Sequence, residues 1–270
     1  MANTLRMRWM DFAYMYIRVV TINTWKCDGD YYARRELLAD QLKKLNANII
    51  ACQECFQTSD GEVDTARFLA DRLQLSYSWL PGRYKQRSLQ GQWKDSYSGL
   101  AVLSAFPFSR QEGIDLPGAP GDEDRKAQHI VIEIQPGKYL SLTNIHLTHL
   151  RDGAALRKIQ LETILHRIDR VKADCRLICG DFNDVSGSPA LQFLQEEAGA
   201  KNCFITGKEP KRTLIYEDSP CVDHVFRLPV NGDNGYAACI QAGVVLNQPD
   251  PRTGLYPSDH FGICVDLQPD

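Results

Sequence analysis

Short apolar runs that break off in polar residues recur along this chain, with longer amphipathic stretches between some of them. The runs at 17–23 and 47–54 have the length and composition of buried strands, and the second ends in Gln53-Glu54. Between them Leu38, Leu42 and Leu45 fall at i, i+4 and i+7, which predicts a helix over 32–46. A helix at 65–73 and strands at 77–80 and 99–104 follow, the two strands separated by a polar segment, 82–94, that reads as a loop. Turn chemistry around Pro117-Gly118-Ala119-Pro120-Gly121 precedes a predicted hairpin, 129–134 and 139–146, joined through Pro136-Gly137. The strongest helical stripe is Leu161, Ile164, Leu165 and Ile168, within a helix predicted over 152–171 with Asp152 placed to cap it. Further strands are predicted at 176–181, 223–227, 239–246 and 261–267, and a short helix opening on proline at 189–195.

Hairpins mixed with helical crossovers favour an α/β fold in which two mixed sheets pack face to face with helices outside. A strand–helix–strand unit with a polar end occurs at 17–54 and again at 139–181, which suggests two similar halves. No linker, solenoid repeat or long low-complexity run divides the chain, so a single domain is expected over 15–270. Residues 1–14 read as an N-terminal extension. All four methionines are Met1, Met7, Met10 and Met15, and Met15 stands just before the first strand as the natural start. Arg6 and Arg8 before 9–15 imitate a signal peptide weakly, but Asp11 interrupts the run and no small-residue cleavage site follows.

The net charge is -3 over 270 residues. Such a chain is no polycation built to coat nucleic acid, so an anionic substrate must meet local cations or a bound metal. The nine cysteines are odd in number and several lie in apolar runs, which points to a reducing compartment and a cytoplasmic location. Cys52 and Cys55 have CxxC spacing, but a regular strand would turn them to opposite faces and no second pair follows, which argues against a zinc site. No stretch approaches the ~20 apolar residues needed to cross a bilayer. Nothing in the sequence points to a specific protein partner.

Functional side chains gather where the apolar runs stop: Asn23, Gln53-Glu54, Asn144-Ile145-His146, Gly180-Asp181-Phe182-Asn183, Asp223 and Ser258-Asp259-His260. Taken singly, an asparagine or aspartate at a strand end is an ordinary turn former or cap. Together they supply what hydrolysis of a phosphate ester requires. A hard divalent cation needs oxygen ligands, for which Glu54 and Asp259 serve. The attacking water needs a base or orienting group and the phosphate a donor, for which Asp181 and Asn183 serve. Developing negative charge needs further donors, for which His146 and His260 serve.

This ordered series resembles the endonuclease/exonuclease/phosphatase superfamily, whose members include pancreatic-type DNases, abasic-site endonucleases, neutral sphingomyelinases, inositol polyphosphate phosphatases, deadenylases and tyrosyl-DNA phosphodiesterases. The resemblance runs from about residue 17 to 267, and Gln-Glu, Gly-Asp-Phe-Asn and Ser-Asp-His together are specific for the superfamily rather than for any one substrate. It implies a four-layered α/β sandwich with the site at one edge of two packed sheets. It implies Mg2+, replaceable by Mn2+, with Glu54 as principal ligand, Asn23 nearby and Asp259 completing the metal region. Asp181 would orient or deprotonate the water, and Asn183 would hold a phosphate oxygen. His260, oriented by Asp223, would polarise the phosphate or act as base, with His146 as a second donor. The chain departs from some members by placing Trp25 where they have an acid, which favours one metal unless Asp28 or Asp30 folds back. Thr148 and His149 replace the tyrosines that some nucleases carry after the histidine-bearing strand.

For the substrate, 82–94 carries Arg83, Lys85, Arg87 and Lys94 without an acid, interleaved with Tyr84 and Trp93. Cations meet phosphate while rings stack on bases, so the segment suits a nucleic-acid strand. Arg157 and Gln160 are candidates for the phosphate path from the long helix. No basic arm is available to follow a duplex groove, and no amphipathic anchor for a lipid surface. Three readings follow: a nuclease-like phosphodiesterase, a sphingomyelinase-like or inositol phosphate hydrolase, and, with least support, a binding module that keeps the fold without catalysis. The closing Tyr256-Pro257-Ser258-Asp259-His260-Phe261-Gly262 resembles tyrosyl-DNA phosphodiesterase-like members and tilts the choice to the first.

Overall fold

The computed structural model describes residues 16–205, 208–230 and 238–268, so the expected extension and start at Met15 lie outside the described residues. Among the described residues, twelve strands form two six-stranded sheets. β1 (Ile17–Asn23), β2 (Ile49–Thr58), β3 (Ser76–Leu89), β4 (Gln92–Ser104), β11 (Ala238–Val245) and β12 (Gly262–Gln268) make one, ordered β11-β12-β1-β2-β4-β3. β5 (Phe108–Asp115), β6 (Lys126–Gln135), β7 (Lys138–His146), β8 (Cys175–Asp181), β9 (Lys201–Asn202) and β10 (Asp223–Leu228) make the other, ordered β5-β6-β7-β8-β10-β9.

The expected doubling is visible in the topology. β1 and β2 are parallel neighbours joined through helix α1 (Tyr31–Leu45), and β7 and β8 are parallel neighbours joined through α3 (Ala154–Ile168). The flanking strands β12 and β6, and β4 and β10, are antiparallel to these pairs. Alternation along each strand explains the layers. Val19, Ala51, Leu142, Leu177 and Cys179 face the space between the sheets, where both contribute to one core. Val20, Ile50 and Cys52 face outward under α1 and α2 (Thr65–Leu73), while Ile178 and Phe226 face α3 and α4 (Pro189–Gln192). Helix, sheet, sheet, helix is the expected four-layered sandwich.

Several local expectations need correction. The predicted loop at 82–94 is the outer half of the β3–β4 hairpin, turned at Gln90-Gly91, both at positive φ (48° and 81°). Along the β3 side of that half only Leu89 packs into an apolar cluster, so no apolar alternation marks it as strand. β5 carries no apolar alternation for a similar reason: it is an edge strand with mostly exposed polar residues. Asp152 does not cap α3, which starts at Ala154 behind Gly153 with no side-chain cap. The helix at 189 changes to a π-type turn at Phe193–Glu197. Cys52 and Cys55 do not face opposite ways, because a bulge at Gln53-Glu54, with Glu54 at φ 52°, brings both thiols into the same outer core.

A buried polar seam joins the sheets beneath the site. Gln53 donates to Asn144 Oδ1 (2.7 Å), and Asn144 donates to the carbonyls of Cys52 (3.0 Å) and Ala101 (3.1 Å). Both residues are wholly buried, so these members of the strand-end series fix the relative position of the sheets rather than face the cleft. Nearby His129 is buried on β6, with Nδ1 bonded to Thr143 (3.0 Å) and Nε2 without a partner. Burial lowers its pKa from 6.5 to about 4. The unfolded chain therefore binds the proton first, and the stability contributed by neutral His129 is complete above about pH 6.5 and fades as pH falls through 4. That loss is about 3 kcal/mol at full protonation. His129→Asn is expected to flatten the dependence of stability on pH between 6.5 and 4 in urea unfolding; an unchanged slope would reject the assignment.

Candidate active site

β8 delivers the central acid. Gly180 sits at φ 137°, and a Cβ there would stand 2.1 Å from the Ile145 carbonyl oxygen, so only glycine lets β7 and β8 close up at this level. Asp181 follows, buried, with Oδ1 accepting from the Asn183 backbone N–H (2.9 Å) and Oδ2 from Asn23 Nδ2 (3.1 Å). Asn183 is held in the left-handed region (φ 50°) and donates its amide to the Leu147 carbonyl (3.0 Å). Phe182 points the other way into the helix-side core.

Asp223 opens β10 directly opposite Asp181 in the antiparallel register. Its backbone N–H and that of Val222 donate to the Thr213 hydroxyl (3.2 and 3.0 Å), which fixes the turn into the strand. Asp223 Oδ2 lies 2.9 Å from His260 Nδ1, while its Oδ1 is buried without a partner. His260 is placed by the segment before β12. Ser258 donates to the Asn23 carbonyl (2.6 Å) and accepts from the His260 N–H (3.2 Å), tying Ser258-Asp259-His260 to the end of β1. Nε2 of His260 is then 3.9 Å, and Nε2 of His146 3.4 Å, from Asp181 Oδ2.

The electrostatics separate the roles of the histidines. Burial opposes charge on His260, but Asp223 outweighs it by charge and hydrogen bond, raising the pKa to about 10. Its imidazole is therefore a cationic donor at neutral pH. Burial holds His146 well below 6.5, with Arg125 adding to the effect, so it stays neutral. Burial raises Asp181 to about 7 against the pull of His260. A carboxylate in that range at the base of a cleft is poised to exchange a proton near neutrality.

Glu54 reaches the cleft because of the bulge in β2, whose positive φ turns its side chain out while Gln53 points between the sheets. Asn23, Glu54 and Asp259 line the same cleft of about 640 Å³ as Asp181, Asn183, His146 and His260. Burial raises the Asp259 pKa, and nearby Glu54 adds to that rise against His260. The all-oxygen donor set Glu54, Asp259 and Asn23 suits a hard divalent cation, and Glu54 already takes a cation, the Lys26 ammonium at 2.7 Å. Ligand atoms of Asp181, Asp223 and His260 also lie within 4.8 Å of one another and could hold a metal. Of the three, only Asp223 and His260 share a hydrogen bond, while Asp181 accepts from Asn183 and Asn23.

The hairpin forms one wall, with Arg83, Lys85, Arg87 and Trp93 lining the cleft. Arg83 reaches across to the Gly121 carbonyl (2.9 Å). Tyr84 lies edge-on to Tyr97 and is not part of the lining. Arg157 is corrected: it is buried, paired with Asp184 (2.8 Å) and bonded to the carbonyls of Thr148 and Leu150, so it braces the loop after β7 instead of lining the cleft. Gln160 likewise bonds Thr148 N–H and the Pro117 carbonyl. Asp30 caps α1 through Ala33 N–H (3.3 Å) and is occupied there, whereas Asp28 lines the cleft.

Three residues escaped the sequence reading. Arg125 lines the cleft beside His146, held by Asp122 (2.8 Å) and His149 (2.8 Å). Lys26 stands on Glu54. Arg34, almost wholly buried, donates to the carbonyls of Thr24, Trp25, Lys26, Asp28 and Pro257 and stacks 4.6 Å from the Trp25 ring centroid. It shapes the loop after β1 and joins it to the segment bearing Asp259. A signal was available for Arg34, which precedes Leu38 by four residues on the buried stripe of α1.

Residues 20–260 match the Endonuclease/Exonuclease/phosphatase family. The chain belongs to this family. Family membership supports a phosphoesterase hydrolase of the phosphodiesterase or nuclease type. Among solved structures, a humanized TDP2 from D. rerio is 18% identical with TM-score 0.71, covering 93% of this chain and 98% of that one. The human Nocturnin catalytic domain with bound sulfate is 18% identical with TM-score 0.70, covering 94% and 95%. These likenesses show the fold. Carbon catabolite repressor protein 4 homolog 3 of Arabidopsis thaliana is 24% identical over 233 residues, which cover 76% of this chain and 48% of that protein, so the chain spans about half the length of this curated relative. No helix among the described residues is long and apolar enough to cross a membrane.

Proposed function

We propose that this family member is a Mg2+- or Mn2+-dependent phosphodiesterase acting on a single nucleic-acid strand. The observation that carries the reading is the meeting of the Asp223–His260 pair and Asp181 with Glu54 and Asp259 at one cleft whose wall is cationic and aromatic. Glu54, Asp259 and Asn23 would hold the metal, which when bound neutralises phosphate charge and polarises the P–O bonds.

The remaining roles follow from the chain's own groups. Asp181 orients water for in-line attack and takes its proton as the new O–P bond forms and the ester P–O bond breaks. Cationic His260, kept charged by Asp223, donates to a phosphoryl oxygen as negative charge builds. Asn183 holds a second oxygen and neutral His146 supplies a third donor. The leaving oxygen departs with the departing strand and is protonated from solvent. Because His260 is already protonated at neutral pH, the base role goes to Asp181.

The substrate follows from the wall. Trp93 is 72% exposed beside Arg87 and Lys85, a ring placed to stack on a base while the cations meet phosphates. Sphingomyelin offers one phosphate and a cationic headgroup, which this wall does not complement. Single-stranded and duplex oligonucleotides, sphingomyelin vesicles and inositol phosphates, each with Mg2+ and with EDTA, provide the test. Turnover of single strands with Mg2+ alone is expected, and turnover of lipid alone would reject the reading. Trp93→Ala should raise KM for a single-stranded oligonucleotide about tenfold at nearly constant kcat, the size of one lost stacking contact.

A further inference from the structure

We propose that Lys26 is a built-in competitor for the divalent cation at Glu54: its ammonium holds this carboxylate in the metal-free protein and must leave it when metal binds. The inference rests on the reading of Glu54 as the metal carboxylate. Lys26 grips Glu54 twice, through Nζ on Oε2 (2.7 Å) and through its backbone N–H on the Glu54 carbonyl (3.2 Å). The next carboxylate, Asp28, is 3.9 Å from the ammonium and more exposed, which gives the displaced side chain a place to go.

The local backbone is organised to produce this contact. Trp25 and Lys26 are consecutive non-glycine residues at positive φ (57° and 43°), a conformation disfavoured for side chains of L residues. It is held by the Trp25 N–H on Asn23 Oδ1 (3.0 Å) and by Arg34, which binds the carbonyls on either side and stacks on Trp25. A free lysine on a mobile loop would be a poor competitor, because localising a long side chain costs entropy. Here the main chain has already brought the stem to Glu54. An ammonium and a divalent cation share the same lone pairs, and two cations within a few ångströms repel strongly at reduced dielectric.

Titration of the full chain with Mn2+, read by the electron paramagnetic resonance of free ion, measures this without turnover. Lys26→Met, which keeps the aliphatic stem, should lower the Mn2+ dissociation constant about three- to tenfold. Lys26→Arg keeps the charge and should stay near the unaltered protein. Unchanged or weaker binding in Lys26→Met, or equal tightening in both variants, would overturn the proposal. Glu54→Gln separates it from the reading beneath. Tight Mn2+ binding that survives Glu54→Gln removes Glu54 as the ligand. Binding lost in Glu54→Gln but unaltered in Lys26→Met removes only the competition.

Discussion

Glu54→Gln is expected to lower Mg2+-dependent phosphodiester turnover by at least about 10³-fold while leaving the protein folded. The substitution keeps shape and hydrogen-bonding reach but removes the negative charge on which the cation site depends. Glu54 is turned out by a β-bulge into the cleft, so no packed apolar contact is lost. The Lys26 ion pair goes with it, but Asp28 remains 3.9 Å from the same ammonium, so the effect on stability should be about 1 kcal/mol or less. Initial rates with Mg2+ against an EDTA background, together with thermal melts in EDTA, measure both parts. Metal-dependent turnover within tenfold of the unaltered enzyme would mean that another carboxylate is the principal ligand.

His260→Ala should reduce kcat by ~10²–10³-fold, the usual consequence of losing one preorganised donor to a transition-state oxygen. Stability should fall as well. Asp223 Oδ1 has no partner even in the intact protein, and without His260 its Oδ2 loses its imidazole partner in a buried environment. His260→Gln serves as the control for that effect, since it can still offer a neutral amide donor near Asp223. A catalytic role predicts that both variants lose kcat, with His260→Gln melting closer to the unaltered protein. Near-normal turnover in a folded variant would remove His260 from the chemistry.

Much of the architecture was legible because its buried parts repeat with a simple period. The β1 and β8 runs read as strands because their inward faces lie in the inter-sheet core, and α3 read as a helix because Leu161, Ile164 and Ile168 share its buried face. The same rule explains what was missed. The outer half of the β3–β4 hairpin and the edge strand β5 bury no continuous apolar face, so backbone pairing forms them without leaving an alternating pattern. The resemblance carried by Gln53-Glu54, Gly180-Asp181-Phe182-Asn183 and Ser258-Asp259-His260 supplied the family; the last two segments do end or precede a strand beside the cleft, whereas Gln53-Glu54 is a bulge inside β2, which runs on to Thr58 and puts only Glu54 in the cleft.

What the sequence determined by itself was the set of chemical groups and the order in which strands present them. Hydrophobic period and glycine placement act locally, so they survive reading one residue after another. The tertiary structure decided which of these groups share a site. It sent Asn144 and Gln53 into the seam between the sheets, turned Arg157 to Asp184, and set Lys26 on Glu54. Such choices depend on bulges, left-handed residues and contacts between segments far apart in the chain. Charge pairing across that separation has no period, and only the folded backbone fixes it.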